Sequence, residues 1–315
     1  IERFVFKFYK NGEELAAAGD AGIITAAHSL PTLKGAHHEA ILGRVFAIFF
    51  NQNQNALFTD PLVRDALNTA IDKQTIVEEI LGGYGSVLSS PLPKAEQVSK
   101  EESQDEGGSL VLFGVDENIT AARAKLEKAG FTLGKDNVYV KTVKKQETRL
   151  SFSLATGNDP ELKAVAEHVA NTWRALGVEV DLQIFEENDL SLSVIRPRKY
   201  DTLLFGLVVG NDPDLYAFWH SSQRNDPGLN VGLYASVAAD KKLESARAAT
   251  EPSDRRTLTE DAAQLIAKET AAIFLYAPHF LYVTPQTLQG VSFDLIATPS
   301  DRLIHADTWY LAKER

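Results

Sequence analysis

Apolar and polar positions follow two rhythms along this chain, and the places where the rhythm changes mark its elements. Leu150, Phe152 and Leu154 fall two apart, which predicts a strand with one buried face. Asp159-Pro160 then opens a helix, since aspartate caps free amides and proline suits the first turn. Val165, Val169, Trp173 and Leu176 follow at helical spacing, and Gly177 closes the helix. Val178, Val180, Leu182 and Ile184 alternate in a second strand, and residues 200–209 make a third, almost continuously apolar. Strand, helix, strand at this length is a crossover unit, so the first two strands run parallel. Ligands in open parallel sheets gather beyond the carboxyl ends of strands. That singles out residues 155–159, 185–188 and 209–214.

Upstream, residues 45–50 are apolar on both faces, as a strand inside a covered sheet requires. Residues 4–9, rich in Phe and ending at Asn11-Gly12, predict another strand, and Gly22-Ile23-Ile24 a short one. The asparagine and glutamine run at 51–55 breaks the pattern. Asp60-Pro61 opens a helix with Val63, Leu67, Ala70 and Ile71 on one face. Asp72 caps a second, carrying Ile76, Val77, Ile80 and Leu81 and stopped by Gly82-Gly83. Residues 84–108 read as a long exposed loop. A helix with Ala121, Ala124 and Leu126 ends at Gly130, and Val138-Tyr139-Val140 make a small strand. Helices are expected over 238–249 and from a Ser253 cap to about 271, with strands over 274–276 and 279–283.

The 315 residues carry 32 basic and 43 acidic side chains, a net charge of −11. That balance argues against nucleic acid or an anionic membrane as partner, since both ask for a basic face. No apolar run is long enough to span a bilayer. Cysteine is absent, which removes disulfides, thiolate metal sites and thiol nucleophiles together. Methionine is absent too and the chain opens at Ile1, so a processed or truncated piece is expected.

Nucleophile elbows, paired-histidine zinc motifs and phosphate loops are missing from the sequence. Gly82-Gly83-Tyr84-Gly85 lacks a lysine to reach phosphates. His37-His38-Glu39 are adjacent and do not converge on one centre, so they read as a surface pair, and His28, His168, His220, His279 and His305 are scattered. Two acidic groups stand at strand ends, 186–189 and Asp212-Pro213-Asp214, and carboxylate pairs can serve as general acid and base. A solvated loop and helix cap is the plainer reading of the first, while for the second capping and a functional role stand level, since it lies at a sheet edge beside aromatics.

One ordered set of pieces goes further. It comprises Phe50-Asn51, residues 60–67 (DPLVRDAL), Ala70-Ile71-Asp72-Lys73, Gly82-Gly83-Tyr84-Gly85, residues 122–131 (ARAKLEKAGF), Leu176-Gly177-Val178, Lys199-Tyr200-Asp201, Asp212-Pro213-Asp214, and Asn230 with Tyr234 and Asp240. In this order and spacing it resembles the solute-binding proteins of bacterial peptide/nickel ABC importers, over about residues 45–290. The resemblance implies an α/β fold of two lobes, a periplasmic-binding-protein-like (type II, cluster C) clamp joined by a double-strand hinge. On that map residues 1–50 are a partial segment of the first lobe, 51–276 form the second lobe, and 277–315 return to the first. The N-terminal part of the first lobe would then be missing. The implied role is capture of a peptide or similar small solute and delivery to a membrane permease. A non-enzymatic, cofactor-free monomer is expected in the periplasm or outside the cell, with a lipid anchor on the missing N-terminus as an option.

Candidate ligand contacts are Asn51, Phe205, Asn211, Asp212, Tyr216, Trp219, Asn230 and Tyr234. For Tyr216 and Trp219, core packing is an open alternative. Arg196 and Arg198 could clamp a ligand carboxylate or line a solvated loop; Arg64 and Asp72 read as structural. The resemblance also implies an aspartate three residues before the Asp-Pro step, to meet a peptide's amino terminus. Val209 stands there instead. Two other functions remain for test: a hydrolase using Asp212 or Asp214, and a surface peptide sensor or chaperone of the same fold.

Overall fold

The structure is a computed structural model and describes residues 3–93, 115–143, 145–210, 214–293 and 296–312. Its centre is a mixed sheet whose main path runs through the strands Ala272–Thr284, Arg44–Phe50, Thr202–Val208, Ser151–Gly157 and Glu179–Phe185. The last two pair in parallel from Ser151↔Glu179 to Gly157↔Phe185, as the crossover reading requires. Thr202–Val208 lies antiparallel to Arg44–Phe50 along its whole length, from Thr202↔Phe50 to Val208↔Arg44.

Period-two patterning sends alternate side chains to two covers. Ile48, Phe50, Leu154, Leu204 and Ile273 face a core closed by the helices Pro61–Ala70, Val115–Lys128 and Pro160–Leu176. Val45, Ala47, Phe49, Leu203, Leu207 and Phe274 face a second core, with Trp219 and the helices Val237–Ala248 and Pro252–Lys268. A strand covered on both sides has to be apolar on both, which explains the Val45 to Phe50 run. In the first core Trp173 meets Phe152 edge-on at 5.4 Å, and its indole donates to Leu67 O at 3.0 Å. Asp159 caps the helix below it by accepting from the amides of Glu161 and Leu162. Gly177 closes that helix at φ 112°, a conformation open to glycine at little cost.

Ala272–Thr284 is one strand of 13 residues where the pattern predicts two. Its first half pairs with Arg44–Phe50, its middle with Gly85–Val87, and its second half with Ala36–Ile41. It therefore belongs to two sheets. The neighbouring connection, Leu42-Gly43, crosses at the same level: Leu42 N donates to Pro278 O and Gly43 N to Ile296 O. A third, small core of Ala40, Phe280 and Ile296, flanked by Tyr282 and Phe293, lies beyond the crossing.

Some expectations fail locally. Residues 3–9 form no strand; Phe4, Val5, Phe6 and Phe8 are exposed, so propensity here finds no sheet partner among the described residues. Gly22-Ile23-Ile24 is a turn, following the helix Gly12–Asp20. Glu251 rather than Ser253 precedes the helix Pro252–Lys268, because Pro252 takes the first turn. Of the expected loop at 84–108, residues 94–108 lie outside the described residues, and Gly85–Val87 is a strand.

Candidate ligand-binding site

Two parallel strands end level at Gly157 and Phe185, and Thr202–Val208 runs on past them, so the sheet opens there. Ser151–Gly157 pairs with Thr202–Val208 only at Thr202 and Leu203, and Thr156 Oγ1 donates to Leu204 O at 3.0 Å. Past Leu204, the main-chain edge facing that side has no strand partner among the described residues. Over it stands an aromatic wall. The Phe46 ring covers Gly206 so closely that a Cβ there would sit 2.7 Å from a ring carbon. Phe46 stacks on Tyr276 at 4.9 Å, and the Tyr276 hydroxyl donates to Glu161 Oε1 at 3.1 Å. Partial burial raises the Glu161 carboxyl above its usual range; the Tyr276 bond opposes that and the Asp159 charge adds to it. Val208 is 55% exposed at the end of this edge, opposite Arg44.

The expected contacts do not all meet there. Phe205 lies on the open edge, half-buried. Asn51 sits at the other end of the same pair of strands: its amide donates to Arg198 O and its carbonyl oxygen accepts from the amides of Asn53 and Gln54. Six residues separate these ends, roughly 20 Å of extended chain. Trp219, Asn230 and Tyr234 do come together, inside the second core. Trp219 packs on Phe49, Phe274 and Tyr234. Asn230 donates to His220 O and Tyr234 O and accepts from Tyr234 N, while the Tyr234 hydroxyl donates to Glu269. Burial, first, and the Glu269 partner hold the Tyr234 phenol above its usual range. Tyr216 is half-buried between two flat groups, the Arg247 guanidinium at 3.9 Å and the His220 ring at 4.0 Å. Asn211 and Asp212 lie outside the described residues.

Other acidic and basic candidates are tied down. Asp214 pairs with Arg247 and accepts from Tyr216 N. Glu186 accepts from Asn158 Nδ2 at 2.8 Å. Arg198 donates to the carbonyls of Ile195, Arg224 and Gly228, so it binds its own loop rather than facing solvent. Among the described residues no group of three or more His, Cys, Asp or Glu could hold a metal ion.

The family model for bacterial extracellular solute-binding proteins, family 5 (middle region), matches residues 1–228. The chain belongs to that family. This solute-binding chain is 30% identical over 269 residues to the oligopeptide-binding protein AppA of Bacillus subtilis, covering 82% of the chain and 46% of AppA. It is 24% identical over 260 residues to the probable D,D-dipeptide-binding periplasmic protein DdpA of Escherichia coli, covering 80% of the chain and 44% of DdpA. The structure of AppA from Bacillus subtilis in complex with a nonapeptide superposes at a TM-score of 0.71 and 26% identity, over 96% of this chain and 58% of that one. The solute-binding chain thus spans less than half the length of these curated relatives.

Its fold is the mixed α/β fold of solved solute-binding proteins, and the family it belongs to is one of solute binders. The relatives that the chain matches are named as binding proteins, which gives the hydrolase alternative on Asp212 or Asp214 no support. Among the described residues no helix is long and apolar enough to cross a membrane. The aromatic wall of Phe46 and Tyr276 and the acid Glu161 escaped the sequence reading. Their only signal was position: Glu161 follows the Asp-Pro cap at a strand's carboxyl end, and Phe46 and Tyr276 hide within apolar runs.

Proposed function

We propose that this solute-binding chain forms part of a clamp that captures a peptide or similar small solute between two lobes and hands it to a membrane permease. The compartment is periplasmic or extracellular, and the protein works as a monomer. The observation that carries this reading is the open main-chain edge past Leu204, bordered by Phe46, which the buried Tyr276 backs, and by Glu161. An extended ligand can satisfy such an edge through its own backbone, which binds many sequences alike. AppA's complex with a nonapeptide supports the same class of ligand.

On this reading the lobes turn about Leu42-Gly43 and Ala277-Pro278, where both connections cross between sheets. The first connector then falls several residues before the 50/51 border drawn from sequence. Phe205 and Tyr216 keep surface for the ligand, while Asn51, Trp219, Asn230 and Tyr234 hold the frame around it. Binding biases a pre-existing open–closed equilibrium toward the closed form. Full-length protein should show a ligand-dependent rise in Tm with a peptide library. A broad library that produces no shift would discard the reading.

A further inference from the structure

Two arginines at the crossing between the sheets stand without an anion. The chain carries 43 acidic residues, yet neither Arg44 nor Arg302 has an ion-pair partner among the described residues. Their Nε atoms are buried and donate to nothing, and the same holds for the indole nitrogen of Trp309, a residue 4% exposed, while Arg302 donates through Nη1 to Pro299 O. All three groups are donors only.

Backbone geometry brings them to one place. Arg44 follows the Leu42-Gly43 turn, which is stitched to Ile296 by the Leu42↔Ile296 bridge and the Gly43 N to Ile296 O bond of 2.7 Å. Arg302 lies in the short helix Pro299–Leu303 just beyond, with its guanidinium 5.3 Å from the Tyr282 ring centroid. Tyr282 stacks on Trp309 at 6.2 Å and pairs in register with His28. His28 senses both cations: burial lowers its pKa, and the charges of Arg302 and Arg44 lower it further. Positive charge therefore gathers at this corner, and its nearest described carboxylate in sequence, Asp301, is taken up by the amides of Ala297 and Thr298 and the Thr298 hydroxyl. Half-buried guanidinium groups whose Nε donors find no acceptor in the chain can take an anion from outside it.

We propose that Arg44 and Arg302 form a carboxylate-binding subsite at the junction of the two sheets, taking the carboxylate end of a ligand laid along the 205–208 edge. The assignment rests on the ligand-capture reading above. Arg44 is the register partner of Val208, so it stands at the end of that edge. A guanidinium matches a carboxylate with two parallel hydrogen bonds, which fixes the ligand's direction as well as holding it. Val209 offers no acid to an amino terminus nearby. The ligand is anchored by its negative end, with its cationic end directed elsewhere.

The test uses full-length protein and two probes: a tripeptide pool with free carboxyl termini and the same pool amidated. Wild type should bind the free pool at least tenfold more tightly. Arg44→Gln should remove most of that preference, Arg302→Gln part of it, and Arg44→Lys should keep some. The ligand-free Tm of Arg44→Gln should be unchanged or higher, since an unpaired charge is removed. Equal binding of the two pools by wild type, or a preference that survives Arg44→Gln, overturns the subsite while leaving ligand capture standing. A lower ligand-free Tm in Arg44→Gln also overturns it, by showing that the protein's own chain supplies the acid. No binding of either pool overturns both readings.

Discussion

Arg64 shows how a charged residue can be structural. The sequence reading placed it on a helix face as an ion partner. In the structure it is 8% exposed and donates to three main-chain carbonyls, Phe58, Glu269 and Thr270, at 2.7–3.0 Å. Those carbonyls end a turn and a helix whose own amides are used up, so the guanidinium satisfies acceptors that nothing else reaches. Burial lowers its pKa, and the charges of Asp60 and Glu269 oppose that shift. Arg64→Ala should cost roughly 3 kcal/mol, read from the denaturant midpoint at unchanged slope. Arg64→Lys should recover less than half of the loss, because one ammonium cannot span three acceptors. A loss under about 0.5 kcal/mol for Arg64→Ala would contradict this role. The same limit applies to Asn51 and Asn230. Their types fit a ligand site, but which atoms a side-chain amide bonds depends on loops folded far away in sequence, and no local pattern records that.

At the scale of elements the period-two and helical rhythms carried most of the information. The 151–185 crossover, its caps and both faces of Arg44–Phe50 were all legible, because burial on a sheet imposes those spacings directly. The union of residues 274–276 and 279–283 into one strand was not, since Pro278 reads as a break. Proline is tolerated there as the register partner of Gly85, in the short segment where the strand changes sheets. Gly206 was equally silent, and its role follows from its neighbour. Gly206→Ala should push the Phe46 ring outward and loosen its stack on Tyr276. The ring is only half-buried and can swing, so the stability cost should stay near 1 kcal/mol. Ligand affinity should fall several-fold, measured by calorimetry on the same preparation. Unchanged affinity would remove Phe46 from the ligand wall.

Across the whole molecule, the small sheet beyond the crossing gives stability a pH dependence. His28 and His38 are both held below the ordinary value of 6.5, chiefly by burial, with Arg302 and Arg44 acting on His28 and His37 on His38. The unfolded chain then takes up protons first as pH falls. Their contribution is complete above pH 6.5 and is lost progressively below it. Glu161 works in the opposite sense nearer its own range, because its carboxyl is raised. The histidine effect is therefore read as a difference: Tm of wild type should fall more steeply between pH 7 and 5.5 than that of a His28→Gln, His38→Gln double variant. Parallel curves would exclude it.

The strand Ala272–Thr284, shared by two sheets, gives this architecture a torsion bar. Its hydrogen bonds grip a different sheet at each end, so on the proposed clamp reading any turning of one lobe against the other has to be absorbed as twist in the few residues between the grips. The amplitude of the motion is then set by how far main chain near Pro278 can wind before a ladder bond breaks. If the proposed clamp is right, grafting a stiffer or softer stretch at that spot would retune the jaw without touching anything it bites on.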